Sequence, residues 1–282
     1  MNRDRAPLIS IIVAVFDGKA TLQQCIDSVA QQTYPNKELI IIDGGSKDGT
    51  VDLLRANQGK ITYWISEPDR GIYNAWNKGL AEATGEWIYF LGADDYFWDA
   101  RVLERMVEQL EKFPSNIRVA YGQIMLLNAD GVSLYPAGEP WEKIKVRFGK
   151  IMCIPHQSVM HRRSLFEQRG QFDESFRITG DYELLLRELK TADAAFVPGL
   201  IVTGMRQGGI SSKPENALAL LREARRAQRM HGQSLPSLIW LRVMLNAYIR
   251  LLLWRVLGER VARIAFDWGR RIMGLPPFWT RT

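Results

Sequence analysis

The stretch that decides the fold is residues 9–16, which reads ISIIVAVF. β-branched and other apolar side chains fill it almost without interruption, and such a run is typical of a strand buried on both faces of a parallel sheet. Leu22, Ile26 and Val29 then recur at helical spacing. The chain therefore opens with a β-strand and an α-helix, the repeating unit of α/β folds.

The alternation of strand and helix continues beyond this first unit. Four such units in succession predict an α/β fold with a doubly wound, mostly parallel sheet. Beyond residue 110 the order of elements loosens and becomes mixed. The predicted strands are 9–16, 38–43, 61–66, 87–91, 117–128, 132–135, 159–161, 194–197 and 200–205, and the predicted helices are 51–57, 72–83, 103–110 and 181–190.

Length and cysteine usage limit the class of protein. The 282 residues, 46% of them hydrophobic, suffice for one large α/β domain or for a domain with a helical appendage. Cys25 and Cys153 lie in apolar stretches, so neither a disulfide framework nor a cysteine metal site is expected. The first residues lack the long apolar segment of a secretory signal, which favours a cytosolic protein.

The positive charge is concentrated at the C-terminal end of the chain. Residues 213–282 carry thirteen Lys or Arg and four Asp or Glu, a net charge of +9, so residues 1–212 contribute −3 to the total of +6. Basic surfaces attract nucleic acid and anionic lipid alike. We predict a catalytic domain over residues 1–212 and a basic, amphipathic helical extension over 213–282.

Acidic side chains follow three of the predicted parallel strands. Asp17 follows the first strand, Asp43 ends the second, and the adjacent Asp94 and Asp95 follow the fourth. Open parallel sheets bind ligands beyond the carboxyl ends of their strands. Two carboxylates on a tight turn can hold one hard cation, Mg²⁺ or Mn²⁺, with positions left for phosphate oxygens. The alternative is that one of this pair caps a helix that begins near Asp99.

The loop over residues 43–50 reads DGGSKDGT and suggests phosphate binding. It does not match a Walker loop, because Thr50 follows Gly49 where that motif needs Lys, and no dinucleotide fingerprint follows the first strand. Asp43 can instead accept a hydrogen bond from a nucleobase N–H. The alternative is that Asp48 or Thr50 serves as the N-cap of the next helix.

Residues 67–79 are more polar and aromatic than an ordinary connection into a helix. Arg70 and Lys78 could face the diphosphate of a nucleotide. The alternative for Lys78 is a place on a solvated helix face.

These motifs together resemble family 2 glycosyltransferases with the GT-A fold, of the bacterial surface-polysaccharide type. The resemblance covers residues 9 to about 212 and is specific because eight motifs occur in the family's order. The motifs are the first strand with Asp17, SVAQQTYP at 28–35, the loop at 43–50, the segment at 67–79, GADD at 92–95, PHQS at 155–158, GDYE at 180–183 and GGIS at 208–211.

The resemblance implies a role for each acidic residue. Asp43 would recognise the nucleobase, Asp94 would lie near ribose or metal, Asp95 would be the principal metal ligand, and Asp181 would be the catalytic base. Direct displacement at the anomeric carbon needs a carboxylate to take the acceptor's proton and a metal to hold the leaving diphosphate. Asp17 would contact the nucleotide from the end of the first strand.

Three positions depart from the family's pattern. Gly92 stands where many members carry another Asp, Phe16-Asp17 replaces the more frequent Tyr-Asn, and Gly180 stands where many have Glu before the base. His156 lies near the implied acceptor side, where it would bind acceptor, phosphate or metal. The alternative for His156 is a hydrogen-bonded structural role.

The sequence therefore predicts an inverting, metal-dependent glycosyltransferase. Its donor is a nucleoside-diphosphate sugar, UDP by default, and its acceptor a hydroxyl of a polyprenyl-linked saccharide in cell-surface polysaccharide synthesis. A sugar-phosphate nucleotidyltransferase is disfavoured because the usual glycine-rich first loop with Arg is missing. A non-catalytic scaffold is disfavoured because the four key Asp residues are all retained.

The pattern of apolar and basic residues in the C-terminal extension favours lipid over nucleic acid as its partner. Residues 236–257 are strongly apolar, but Arg242, Asn246 and Arg250 recur every four residues, and central arginines oppose insertion across a bilayer. We expect an interfacial helix that bends near Gly258 and holds the enzyme on anionic lipid, peripherally, at the cytoplasmic face of the bacterial inner membrane. Nucleic acid is not an expected partner, because Trp and Leu form apolar faces here. The alternative is a helical pair packed on the catalytic domain or forming a homo-oligomer interface.

Overall fold

The computed structural model describes residues 6–128, 130–207, 209, 216–272, 274 and 280. In chain order the strands are β1 (Ile9–Val15), β2 (Lys37–Asp43), β3 (Tyr63–Ser66), β4 (Trp87–Gly92), β5 (Tyr96–Phe97), β6 (Val119–Leu127), β7 (Ser133–Ala137), β8 (Val159–Arg162) and β9 (Ala195–Arg206), and the α-helices are α1 (Lys19–Ala30), α2 (Thr50–Ala56), α3 (Ile72–Glu82), α4 (Val102–Leu110), α5 (Trp141–Phe148), α6 (Arg163–Arg169), α7 (Gly180–Leu189), α8 (Ala217–Met230) and α9 (Leu238–Ile272).

Strand β1 is the centre of the parallel half of the sheet. It pairs in parallel with β2 on one side and β4 on the other, and β3 continues the parallel order beyond β2. Ile11 and Val13 are buried in one apolar cluster and Ile12 in the other, because successive side chains of a strand point to opposite faces. The prediction of a strand buried on both faces is confirmed.

The other half of the sheet is mixed. Strand β8 lies between β4 and β6 and is antiparallel to both, whereas β9 runs parallel to β6. Strand β5 pairs antiparallel with β9, and β7 pairs antiparallel with β6. The predicted α/β architecture is confirmed, but the sheet is not mostly parallel: among the described residues, four neighbouring pairs are parallel and four are antiparallel.

Strand β9 corrects the prediction of two late strands. Pro198 and Gly199 are exposed but do not end the strand, and Gly199 has a φ of 72°. The pairing with β6 shifts register opposite this point, between Tyr121 and Gln123. The Pro-Gly pair therefore forms an irregularity within one long strand. Two helices were not predicted, α5 and α6.

Helices α8 and α9 lie within the predicted extension, whose proposed start at residues 212–213 falls outside the described residues. Helix α8 packs beside α7 and buries Ala224 and Ala227 in the same apolar cluster as Tyr182. Helix α9 is interrupted at Gly258, whose φ of 73° and ψ of 166° are not helical, so the expected bend is confirmed. Among the described residues, no helix has the length and apolarity needed to cross a membrane.

Candidate active site

Asp94 and Asp95 lie on a tight turn directly after β4. The Asp95 amide donates to the Gly92 carbonyl at 3.1 Å, and an Asp95 carboxylate oxygen accepts from the Arg206 amide at 3.0 Å. Helix α4 begins only at Val102 and has no side-chain cap, so the capping alternative for this pair is wrong. Asp95 is only 4% exposed.

Burial outweighs the positive charge of Arg206 in setting the pKa of both carboxyl groups. Burial raises the pKa of Asp94, and burial together with the neighbouring Asp94 charge raises the pKa of Asp95 well above its ordinary value. Among the described residues no group of three or more His, Cys, Asp or Glu could hold a metal. The buried Asp95 and the half-buried Asp94 nevertheless match the protein share of a Mg²⁺ or Mn²⁺ site that is completed by substrate phosphates and water.

Two glycines lie beside these carboxylates, and one of them leaves room for both. A Cβ at Gly92 would lie 2.6 Å from a carboxylate oxygen of Asp95 and 3.0 Å from one of Asp94, so any side chain there would displace them. A Cβ at Gly209 would lie 3.9 Å from the other Asp94 oxygen. The described part of the GGIS segment therefore reaches the pair, while residues 208, 210 and 211 lie outside the described residues.

Arg206 is a site residue that the sequence reasoning missed. Its guanidinium donates to the Asp94 carbonyl at 3.2 Å and to the Gln24 side chain at 2.5 Å, and it lies 5.8 Å from the centre of the Tyr96 ring. Strand β9 brings it there by pairing with β5. No local pattern marks Arg206, because its position depends on contacts more than a hundred residues apart in the chain.

Asp17 and Asp43 both organise the loop at residues 43–50. Asp43 is fully buried, and one of its oxygens accepts from the Gly45 amide at 3.1 Å and the Ser46 amide at 3.0 Å. The Ser66 hydroxyl donates to the same oxygen at 2.6 Å, and the Ser46 hydroxyl donates to the other. Asp17 has a φ of 49° and accepts from the Lys47 amide at 3.0 Å.

The start of α2 contradicts the alternative that Asp48 or Thr50 is its N-cap, although Asp48 does contact Thr50. Asp48 accepts from the Thr50 amide at 3.0 Å and from the Thr50 hydroxyl at 2.6 Å. Gly49 is the N-cap residue, so neither Asp48 nor Thr50 is the N-cap. The polar side chains of the loop thus stabilise its backbone, and the nucleotide roles of Asp17 and Asp43 stay predictions.

Asp181 occupies the first turn of α7. One carboxylate oxygen accepts from the Tyr182 amide at 2.8 Å and from the Tyr73 hydroxyl at 3.3 Å. Burial raises the pKa of Asp181 to about 6, although these two hydrogen bonds lower it. A Cβ at Gly180 would lie 2.8 Å from the Tyr73 ring, which explains why glycine precedes Asp181 in this chain.

Comparison with known proteins assigns the chain to a family. The model for glycosyl transferase family 2 matches residues 10–170, more than half of the chain. The chain belongs to this family. A PGL/p-HBAD biosynthesis glycosyltransferase of Mycobacterium bovis BCG is 33% identical over 186 residues, which cover 64% of this chain and 70% of that one. A glycosyltransferase of Mycobacterium tuberculosis is 36% identical over 184 residues, which cover 64% and 69%.

Solved structures agree on the fold. Staphylococcus aureus TarS 1–349 in complex with UDP-GlcNAc has a TM-score of 0.63 at 16% identity, covering 88% of this chain and 75% of that one. The mannosyltransferase PcManGT of Pyrobaculum calidifontis, in complex with GDP-Man and Mn²⁺, has a TM-score of 0.63 at 16% identity, covering 98% and 83%. This family 2 glycosyltransferase therefore has the GT-A fold.

The two predicted diphosphate cations are paired with carboxylates in this glycosyltransferase. Arg70 contacts Glu174 at 2.5 Å, and Lys78 contacts Glu67 at 2.6 Å. Glu174 also accepts from the side chains of Asn74 and Asn77, both at 3.0 Å, and so ties α3 to the segment that precedes α7. A diphosphate would have to compete with these carboxylates, and the roles of Arg70 and Lys78 stay predictions.

His156 lies inside an aromatic cluster. Its ring stacks on Trp76 with 5.1 Å between centroids and lies 5.1 Å from the ring of His161. Burial lowers the pKa of His156 to about 3, so the imidazole is neutral at physiological pH. Its Nε2 has no hydrogen-bond partner among the described residues. This placement favours a packing role, although the structural alternative expected a hydrogen-bonded histidine.

Proposed function

We propose that this family 2 glycosyltransferase transfers a sugar, with inversion, from a nucleoside-diphosphate donor to a hydroxyl of a saccharide. The observation that carries the proposal is Asp181, a half-buried residue at the start of α7 whose pKa burial raises to about 6. A second acidic group, Asp94 and Asp95, lies at the end of β4. One carboxylate site suits proton transfer and the other suits a cation with its diphosphate.

Asp181 is the base in this proposal. A carboxylate with a pKa of about 6 is largely ionised at pH 7.5 and is a stronger base than an ordinary Asp. The Tyr73 hydroxyl donates to one carboxylate oxygen and fixes its orientation. The oxygen that Tyr73 and Tyr182 leave open can then accept the proton of the acceptor hydroxyl.

The donor side consists of the Asp94 and Asp95 pair with Arg206. Mn²⁺ or Mg²⁺ would be held by Asp95 and Asp94. Their raised pKa values indicate that the ionised carboxylates are poorly stabilised, and a divalent cation would stabilise them. When bound, the cation supplies charge neutralisation to the departing diphosphate. Arg206 adds a guanidinium beside the same turn, where it can contact a phosphate oxygen.

The acceptor in this proposal is a polyprenyl-linked saccharide of the cell surface, and the enzyme binds peripherally to the cytoplasmic face of the inner membrane. Support comes from α9, where the whole predicted apolar stripe is exposed beside the exposed Arg242 and Arg250. A long apolar face bordered by arginines suits the boundary between anionic headgroups and acyl chains. The exposed stripe consists of Leu238, Leu241, Leu245, Tyr248 and Leu252.

A donor screen tests the enzymatic proposal. Purified full-length protein is incubated with UDP-, GDP- and dTDP-sugars in Mn²⁺, in Mg²⁺ and in EDTA, and release of nucleoside diphosphate is measured. We expect release from one donor class, with UDP tried first, and loss of release in EDTA. Release of pyrophosphate from a nucleoside triphosphate and a sugar phosphate would instead identify a nucleotidyltransferase.

Two substitutions test the proposed base and the proposed metal ligand, and a third serves as the control. Asp181→Asn is expected to lower turnover by about two to four decades while donor binding persists. Asp95→Ala is expected to abolish the metal-dependent rate. Asp52→Asn, in an exposed carboxylate on α2 that pairs only locally with Arg55, is the control and should retain full activity. Collapse of donor binding in Asp181→Asn would contradict its role as the base.

Liposome co-sedimentation tests the membrane proposal. Full-length protein is expected to pellet with vesicles that contain anionic lipid at low salt, and less so with neutral vesicles or at high salt. Absence of pelleting at low salt would contradict the proposal. Sedimentation of the protein as a stable dimer without lipid would favour α9 as an interface between copies.

A further inference from the structure

Glu223 on α8 binds the backbone that leads into the Asp181 helix. One of its oxygens accepts from the Arg177 amide at 3.0 Å, and the other accepts from the Ile178 amide at 2.9 Å and the Thr179 amide at 3.0 Å. Thr179 is the N-cap residue of α7, and its own side chain makes no capping hydrogen bond. Glu223 therefore satisfies three consecutive amides immediately before the helix that carries Asp181.

This arrangement resembles half of a capping box, with the acceptor supplied by another helix. In a capping box a Glu in the first turn accepts from the N-cap amide of its own helix. Here the carboxylate comes from α8, forty-four residues along the chain from Thr179. The conformation at the start of α7 thus depends on α8 being in place.

We propose that Glu223 is a positioning residue for the catalytic base, acting on Asp181 through the backbone of residues 177–179. This inference rests on the proposed role of Asp181. The first turn of α7 directs the Asp181 carboxylate toward Tyr73, and the amides held by Glu223 lie two to four residues before Asp181. A small change in that turn would misplace the base relative to the acceptor hydroxyl.

Glu223 also contributes charge at the site. Among the described residues, the groups that act on the Asp181 carboxylate are the Tyr73 hydroxyl from α3, the Glu223 carboxylate from α8, and the Asp181 and Tyr182 amides of its own helix. The negative charge of Glu223 raises the pKa of Asp181, whereas the hydrogen bonds lower it. Removal of that charge is therefore expected to lower the pKa of Asp181.

Helix α8 has other contacts that can hold it when Glu223 is changed. The Gln228 side chain donates to the Lys150 carbonyl at 2.8 Å, and His231 contacts Glu183 at 2.9 Å. Arg226 contacts Asp173 at 3.7 Å and lies 4.3 Å from the centre of the Phe176 ring. Arg226 thus binds the same segment as Glu223 without touching the amides of residues 177–179.

The contacts of Glu223 and Arg226 suggest three variants that test the proposal. Glu223→Ala removes the whole acceptor, Glu223→Gln keeps one acceptor oxygen but removes the charge, and Arg226→Ala is the matched control on the same helix. Each is made in the full-length protein. The measurements are amide hydrogen exchange of the peptide that spans residues 177–182, and nucleoside diphosphate release from UDP-GlcNAc or from the donor with the highest rate in the screen.

We expect Glu223→Ala to speed exchange of the 177–179 amides and to lower kcat by about tenfold or more, with little change in KM for the donor. In Glu223→Gln the acid limb of the pH profile should move to lower pH. Arg226→Ala should leave the pH profile and the exchange of these amides near wild type. In an Asp181→Asn background, Glu223→Ala should cause no further loss of kcat.

Three results would overturn the inference. Folded Glu223→Gln and Glu223→Ala proteins with wild-type kcat, pH profile and amide exchange would remove the positioning role while leaving Asp181 as the base. A fully active Asp181→Asn protein would remove the proposed base itself, and the positioning role with it. A loss that continues undiminished in the Asp181→Asn background would also count against Glu223 acting through Asp181.

Discussion

Helices α8 and α9 are both basic and amphipathic, but they lie in very different environments. Helix α8 buries Ala224, Ala227 and Gln228 against the catalytic fold. Helix α9 buries only Ala247 before its interruption at Gly258 and leaves Leu245 60% exposed. Helix α8 packs into the core and contacts the backbone before Asp181, whereas α9 is largely exposed. Similar composition in adjacent segments therefore does not imply a shared role.

The largest expected effect comes from cutting the chain on either side of α8. A protein that ends at residue 236 keeps α8 and is expected to fold and to release nucleoside diphosphate. A protein that ends at residue 212 loses the acceptor for the 177–179 amides and the Ala224 and Ala227 packing. It should therefore lose most of the ~5–15 kcal/mol that typically stabilises a domain.

Thermal unfolding followed by circular dichroism measures this difference. If the shorter protein unfolded cooperatively at the same temperature as the longer one, α8 would not be needed for stability. The two helices would then not differ in their contribution to the fold.

A pair of amide substitutions compares the helices at single residues. Gln228→Ala in α8 removes a side chain that is 1% exposed together with its hydrogen bond to the Lys150 carbonyl, and is expected to destabilise the fold by about 2 kcal/mol. Asn246→Ala in α9 changes an exposed amide and should stay within about 0.5 kcal/mol. Urea unfolding of both variants gives the comparison, and equal losses would indicate that α9 is packed as tightly as α8.

The start of α7 gives a pH-dependent test. Because the pKa of Asp181 is raised to about 6, its ionisation costs stability as pH rises from about 4 to 6, and the full cost remains above pH 6. Asp181→Asn should therefore raise Tm at pH 7.5, by roughly a few degrees, and leave Tm nearly unchanged at pH 4. An equal rise at both pH values would show that ionisation is not the cause.

We expect the same ionisation to govern turnover in the wild-type protein, because Asp181 is the proposed base. The rate should fall as pH drops below about 6, where Asp181 takes up its proton. The Asn246→Ala variant in α9 should keep this acid limb unchanged, whereas Glu223→Gln in α8 should shift it. If the α9 variant also shifted the acid limb, α8 would not differ from α9 in its influence on Asp181.

The smallest effect on stability is expected from the exposed stripe of α9. Leu245→Ser should change the free energy of unfolding by less than about 0.5 kcal/mol, because the side chain is already in contact with water. The same change should weaken pelleting with anionic vesicles, since it removes apolar area from the side of α9 that we propose faces the membrane. A stability loss of several kcal/mol would instead reveal that Leu245 is buried in a protein contact.

Apolar runs and helical spacing in the sequence predicted the strands and helices whose burial pattern is visible along a short stretch of chain. The run at residues 9–16 identified β1, the helical spacing after it identified α1, and both match the structure. Helix α5 also carried such a signal, because Trp141, Ile144 and Phe148 recur at helical spacing and are all buried. The mixed half of the sheet had no comparable signal, since strand direction depends on which distant strand becomes the neighbour.

The sequence by itself determined the α/β class, the family and the acidic residues at the strand ends, because burial periodicity and motif order are local properties of the chain. Only the tertiary structure decided what surrounds those acids. It brought Arg206 to Asp94, Tyr73 to Asp181 and Glu223 to the amides before α7. The physical reason is that these contacts join segments about 40 to 110 residues apart, and no local pattern encodes a contact made by folding.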